Sequence, residues 1–166
     1  MANDYDRARD YAVRYLGYRS CTTKRLREKM KEKEFSPESI DSVVCLFTEK
    51  GYLNDIAYAQ SYINSKTRIN NYGQRRIVVG LMQKGISKND IQAAYAAILE
   101  RNGEDAQNET EIDAAKRALT KRLARKDIDS ILSDHNEKQK LAAYLMRRGF
   151  SYNIVKTAMQ SLEENE

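Results

Sequence analysis

The residues of this chain that could do chemistry are its cations, and they come in short groups. Arg25 and Lys29 stand one helical turn apart. Arg68, Arg75 and Arg76 flank Tyr72. Arg117, Lys121 and Arg122 form a third group, and Arg147 and Arg148 a fourth. Cations at this density can hold phosphates or carboxylates, and arginine beside a tyrosine ring adds stacking and cation–π contact. A solvated helix face carries similar charge, so charge alone leaves both readings open. Tyr72 likewise has two readings, a ring packed at a corner and a ring exposed for stacking.

Bond-making chemistry finds little to work with. The acidic residues are scattered, and no pair stands out as an acid/base set. Two cysteines and one histidine, His135, do not give a zinc-ligand spacing. No glycine-rich phosphate loop and no nucleophile elbow occurs. The expectation is a non-enzymatic chain without metal or cofactor, whose surface binds something. Cys45, set among Val43, Val44, Leu46 and Phe47, is expected as a buried thiol, with Cys21 the more exposed.

The elements that must position the cations are predicted as helices, with the stretch from Arg75 to Tyr95 at their centre. Ile77, Leu81 and Met82 mark an apolar face at helical spacing. Lys84-Gly85 ends that helix, with Gly85 in the left-handed conformation and Ile86 covering the corner. Ser87 caps the next helix, with Asp90 three residues on. Adding 64 maps Leu81, Gly85, Ile86 and Ser87 onto Leu145, Gly149, Phe150 and Ser151. Subtracting 51 maps Leu81, Ile86 and Ser87 onto Met30, Phe35 and Ser36. Matched spacing in three places predicts a helical repeat protein. In the first copy Glu34 replaces the glycine, so a different cap is expected there.

Alanine, tyrosine and branched residues at three- and four-residue spacing extend the unit to three helices, since Ala8, Tyr11 and Ala12 map onto Ala59, Tyr62 and Ile63. Helices are predicted over about 4–16, 22–33, 37–50, 56–68, 75–84, 87–100 and 108–127, with two more after Asp134 and Ser151. Capping is expected from Ser36 with Pro37, from Asn54 or Asp55, from Asn71 with Gln74, from Asn108 with Glu111 and from Asp134 with Glu137. The polar run 101–108, with Gly103, reads as a linker. The predicted domains are 1–51, 52–104 and 105–166.

Whole-chain composition agrees with this reading. Seven glycines and one proline in 166 residues suit an all-α chain, and 41% apolar residues suffice for burial if the helices pack together. A formal charge of +5 with 32% charged residues permits contact with nucleic acid or an acidic protein without requiring it. The first residues lack the apolar core of a signal peptide, and no stretch is long enough to span a membrane, so a cytoplasmic setting is expected.

Taken together, these motifs resemble the RecX family of RecA regulators. The resemblance is carried by the early Ala-rich helix, Ser20 with Leu26 and Met30, Gly51-Tyr52-Leu53-Asn54-Asp55, Tyr58-Ala59, Arg68, and Tyr72-Gly73. Arg76-Ile77, Leu81, Lys84-Gly85-Ile86, Tyr144-Leu145 and Arg147-Arg148-Gly149-Phe150 complete it. It covers most of the chain, least well between 101 and 137. Where the family often has a second acidic residue, this chain has Asn54, which retains the ability to cap. The resemblance implies nine or so helices in three tandem three-helix repeats, forming an elongated, curved helical array. It implies a partner, the RecA filament on single-stranded DNA, with the chain lying in the filament groove, inhibiting extension or promoting disassembly. Recombinase and co-protease activity would fall, with consequences for recombination and the SOS response.

The interaction candidates are Arg25, Lys29, Arg68, Tyr72, Arg75, Arg76, Arg117, Lys121, Arg122, Arg147 and Arg148. Tyr52, Leu53, Leu81, Gly85, Leu145 and Gly149 are assigned to structure. Two other functions compete, a helical DNA-binding protein independent of RecA and a repeat adaptor for an acidic protein. A monomer is expected, with self-association left open.

Overall fold

Three corners of the chain close with the same pair of main-chain hydrogen bonds. At the central one, Gly85 N donates to Met82 O (2.9 Å) and Ile86 N to Leu81 O (3.2 Å). At the third, Gly149 N donates to Met146 O (3.0 Å) and Phe150 N to Leu145 O (3.3 Å). The first has Glu34 N on Lys31 O (2.9 Å) and Phe35 N on Met30 O (3.4 Å). This is a Schellman-type ending, which needs one residue in the left-handed region. Gly85 and Gly149 supply it with φ of 83° and 92°. Glu34 supplies it at φ 60°. The expectation of a different first cap is therefore corrected. The cap is the same, and a non-glycine residue bears its conformational cost.

A serine follows each corner and caps the next helix. Ser39 N donates to Ser36 Oγ (3.3 Å), Asp90 N to Ser87 Oγ (3.1 Å) and Ile154 N to Ser151 Oγ (3.4 Å). The repeated grammar of the sequence is thus a repeated set of bonds, and the offsets of 51 and 64 align it residue by residue.

The computed structural model describes residues 3–124 and 128–164. Ten helices are present among them: α1 Asp4–Tyr18, α2 Thr23–Lys31, α3 Pro37–Glu49, α4 Asp55–Arg68, α5 Gln74–Gln83, α6 Lys88–Asn102, α7 Glu104–Leu123, α8 Ile128–Ser133, α9 His135–Arg147 and α10 Tyr152–Glu164. No strand occurs among the described residues. The short α8 is the helix that the expected nine lacked.

Two compact units divide the chain. One comprises residues 1–60 with 81–94, the other 61–80 with 95–166, and the division falls inside α4, α5 and α6. In the first unit Ala8, Ala12, Leu26, Met30, Ile40, Val43 and Phe47 form a buried cluster. Its α2 is held at the start by a relay. Thr22 Oγ1 accepts from Arg25 N (3.2 Å) and donates to Lys84 O (3.0 Å), while Asp55 Oδ1 accepts from Thr23 N (2.8 Å). Asn54 caps α4 itself through Ala57 N (2.9 Å). In the second unit α7, α9 and α10 bury Ala115, Ala118, Leu119, Leu141, Leu145, Phe150 and Val155.

Several expectations are corrected. The polar run 101–108 is no linker. α6 reaches Asn102, α7 begins at Glu104, and only Gly103 separates them, at φ 82°. Asn108 is therefore inside α7 and caps nothing. Glu104 and Asp105 suit the positive end of a helix, which needs no apolar stripe in its first turn. Helix α7 closes at Leu123, and Arg125 and Lys126 lie outside the described residues. Cys21 is the buried thiol and Cys45 the exposed one, because Cys45 falls on the outer side of the stripe made by Val43, Val44 and Phe47. Met82, placed on the apolar face by spacing, is 44% exposed, and Met146, its counterpart at the offset of 64, is 39% exposed. Asn71 is not the cap of α5. It sits at φ 52° after α4, and Gly73 O accepts the first helical bond of α5 from Ile77 N (3.2 Å).

Candidate interaction surface

The second unit gathers five of the candidate residues around the end of α4. The left-handed turn at Asn71 buries that residue and leaves the carbonyls of Asn70 and Asn71 without helical partners. Arg148, at the end of α9, caps both. Its Nε donates to Asn71 O (2.9 Å) and its Nη2 to Asn70 O. Arg117 Nε, from α7, donates to Asn71 Oδ1 (3.0 Å).

This anchoring is possible because two backbones touch. Gly73 N donates to Arg148 O (2.9 Å) and Arg75 N to Gly149 O (3.1 Å). A Cβ on Gly73 would lie 2.3 Å from Phe150 N, and one on Gly149 would lie 2.4 Å from Arg76 N. Only a pair of glycines admits that approach.

Arg148, fixed in this way, joins Arg76 and Arg122 in interleaving with two tyrosines. The Arg76 guanidinium lies 4.1 Å from the centre of the Tyr72 ring, and Arg148 lies 4.9 Å from the same ring. Arg148 is also 5.5 Å from the Tyr144 ring, which Arg122 approaches to 5.4 Å. The order Arg76, Tyr72, Arg148, Tyr144, Arg122 makes an alternating ladder of cations and rings. Tyr72 is half-buried and packed, so its two sequence readings merge. Arg76, Arg117 and Arg122 are exposed. Among the described residues no carboxylate forms an ion pair with Arg76, Arg117, Arg122 or Arg148.

The remaining candidates are arranged differently. Arg25, in the first unit, pairs with Glu28 (3.3 Å) and Lys29 with Glu32, within their own helix. The Glu28 carboxylate raises the Arg25 pKa, and the Lys29 contact holds Glu32 below the usual carboxylate range. Such exposed pairs are worth little to stability, but they offset the charge locally. Arg68, Arg75, Lys121 and Arg147 are exposed in the second unit and do not join the ladder.

Sequence reasoning missed Tyr144 and Asn71 as members of this surface. Tyr144 stands four residues before Arg148 on one helix, a spacing that signals contact. Its pairing with Arg122 crosses helices, and no local spacing reports it. His135 is exposed and meets Gln139 at 2.9 Å. Among the described residues no group of three metal-ligating side chains is assembled, and no helix is long and apolar enough to cross a membrane.

Fold and surface together define an all-α protein built from repeated helical corners, with a cation–aromatic ladder on one unit. Residues 8–45, 54–94 and 109–159 match the first, second and third three-helix domains of RecX. The chain belongs to the RecX family. It is 32% identical over 161 residues to the regulatory protein RecX of Enterococcus faecalis, covering 97% of this chain and 56% of that protein. With its counterpart from Bacillus subtilis it shares 31% over 156 residues, 93% of this chain and 55% of the relative. With that of Finegoldia magna it shares 30% over 156 residues, 92% and 70% of the two chains. It thus spans just over half the length of the first two. The crystal structure of RecX from Lactobacillus salivarius has the same fold, with a TM-score of 0.78 at 23% identity over 98% of this chain and 99% of that one.

Proposed function

We propose that this chain is a non-enzymatic regulator of RecA that binds the RecA filament on single-stranded DNA and inhibits its extension or promotes its disassembly. Recombinase and co-protease activity would fall as a result. The observation that carries the reading is the ladder from Arg76 through Tyr72, Arg148 and Tyr144 to Arg122, whose arginines pair with no carboxylate among the described residues. Arginines held by stacking and hydrogen bonds lose less freedom when they meet a phosphate or an acidic side chain. Membership of the RecX family supports RecA as the partner. The repeats, bounded at about 1–51, 52–104 and 105–166, would present the contacts, in the filament groove and in the cytoplasm.

The deciding experiment adds this chain to RecA filaments preformed on single-stranded DNA and follows filament length and ATP turnover. Shortening of filaments, reduced in Arg76→Gln/Arg122→Gln, is the expected result. Absence of both association and any change in turnover would end the proposal. The paired rings and arginines also suit direct binding of single-stranded DNA. Equal affinity for naked DNA and for filaments would favour that second reading.

A further inference from the structure

The first unit repeats the junction on which the ladder is built. In the second unit Gly73 N donates to Arg148 O (2.9 Å), and in the first Thr22 Oγ1 donates to Lys84 O (3.0 Å). The offsets of 51 and 64 map Thr22 onto Gly73 and Lys84 onto Arg148, so the two bonds join equivalent positions. The corner glycines correspond as well. A Cβ on Gly85 would lie 2.2 Å from Lys24 Cδ, as one on Gly149 would lie 2.4 Å from Arg76 N. Cations recur with the bonds, since Lys24, Arg25 and Lys84 map onto Arg75, Arg76 and Arg148.

One equivalent position differs, with a physical result. Tyr72 fills the second junction, its ring stacked by Arg76 and Arg148. Its counterpart in the first unit is Cys21, a much smaller side chain. Here the junction holds a cavity of about 430 Å³, lined by Cys21 with Arg25 and Lys84, the counterparts of the two arginines on Tyr72. Arg19 and Lys24 join them, and all the lining residues belong to the first unit. Among the described lining residues Glu28 is the one carboxylate, which leaves an excess of three positive charges, where the whole chain has five. Glu28 accepts from Arg25 (3.3 Å) and so balances it, while Arg19, Lys24 and Lys84 are exposed at the rim. Like charges gathered in one concavity repel one another and focus their field on an anion. Half-buried Tyr15 and Tyr58 add ring surface to the lining. The complementary ligand carries a flat ring in place of Tyr72 and an anion for the cations. A nucleotide combines the two, because its base stacks on rings and guanidinium planes and its phosphate oxygens accept from lysine and arginine.

We propose that the cavity beside Cys21 binds one nucleotide, its base in the space that Tyr72 fills in the other junction and its phosphate on Arg19, Lys24 and Lys84. Two sources have this chemistry, a free nucleotide and a nucleotide within a single strand. The site is separate from the arginine ladder and does not depend on the RecA reading.

Calorimetric titration of the intact chain with deoxyadenosine 5′-monophosphate tests it. Saturable binding is expected. Inorganic phosphate and deoxyadenosine carry one half of the ligand each, and each should bind about tenfold more weakly or worse. Lys24→Gln/Lys84→Gln should weaken binding of the monophosphate about tenfold or more, since charged hydrogen bonds are lost. Cys21→Tyr supplies the ring from within the chain and should block binding, while circular dichroism remains that of the parent. A deoxyadenosine octamer without terminal phosphates separates the sources. Its competition with the monophosphate assigns the site to a strand, and binding of the monophosphate without such competition assigns it to a free nucleotide. No saturable binding of monophosphate or octamer, phosphate alone binding as tightly as the monophosphate, or equal binding by the folded Lys24→Gln/Lys84→Gln variant overturns the proposal.

Discussion

At the scale of single residues, the candidate cations separate by what holds them. Arg148 is fixed by two carbonyls and two rings, so it is part of the scaffold as well as of the surface. Arg148→Ala strands the Asn70 and Asn71 carbonyls, and urea unfolding should show a loss of about 2–3 kcal/mol, the usual scale for hydrogen bonds from a charged donor. Arg148→Lys should recover less than half of it, because an ammonium has no planar fork and stacks poorly. Full recovery by lysine would mean that charge alone matters there. Arg76 donates no hydrogen bond of this kind, so Arg76→Gln should leave the unfolding midpoint almost unchanged. Glu111 gives a prediction with a definite sign. Burial raises its pKa above the ordinary 4.5, so the folded chain holds the proton more tightly than the unfolded chain. The stability this contributes is fully present below the ordinary value and is lost as pH rises through the raised one. Melting temperatures of the parent should therefore fall relative to Glu111→Gln between acid and neutral pH. A difference that stays constant with pH would show Glu111 to be solvated.

At the scale of elements, the corner is the unit of information. Glu34 adopts φ 60° where the later copies have glycine. An L-residue in that region costs roughly 1–2 kcal/mol, part of which glycine gives back through the greater freedom of its unfolded state. Glu34→Gly should thus stabilise the chain by about 0.5–1 kcal/mol, read from the urea midpoint at unchanged slope. A destabilised variant would mean that the Glu34 side chain contributes more than its backbone costs. The same corners explain what could be read from the sequence. Leu81, Gly85, Ile86 and Ser87 act within seven residues, so their spacing reports their bonds. Residues 101–108 misled because a polar run with glycine resembles a linker, whereas α7 starts on charge rather than on an apolar stripe. Cys45 misled because apolar neighbours in sequence occupy both sides of a helix, and only one side is buried. The ladder was half legible. Arg76 beside Tyr72 and Arg148 beside Tyr144 are close in sequence, but their union depends on Gly73 meeting Gly149 across more than seventy residues.

At the scale of the whole molecule, charge and site pull in one direction. If the proposed partner is a nucleoprotein filament, the net charge of +5 would favour encounter at low salt, and the ladder would decide what happens on contact. These two contributions can be separated by salt. Long-range attraction between the whole chain and a filament weakens as the Debye length shrinks, and that changes little when one arginine is removed. A guanidinium seated on a phosphate displaces a counterion, so each such contact adds about one to the slope of log affinity against log salt. If Arg76 and Arg122 meet phosphates, Arg76→Gln/Arg122→Gln should flatten that slope by about two while binding weakens at every salt concentration. Arg25→Gln/Lys29→Gln removes the same formal charge from residues already paired with Glu28 and Glu32, and should leave the slope nearly intact. Fluorescence anisotropy of labelled filaments across a salt series supplies both slopes. Equal flattening by the two pairs would make net charge the only variable that matters. A weaker affinity at unchanged slope in the first pair would move its arginines from phosphate onto acidic side chains of the protein lattice.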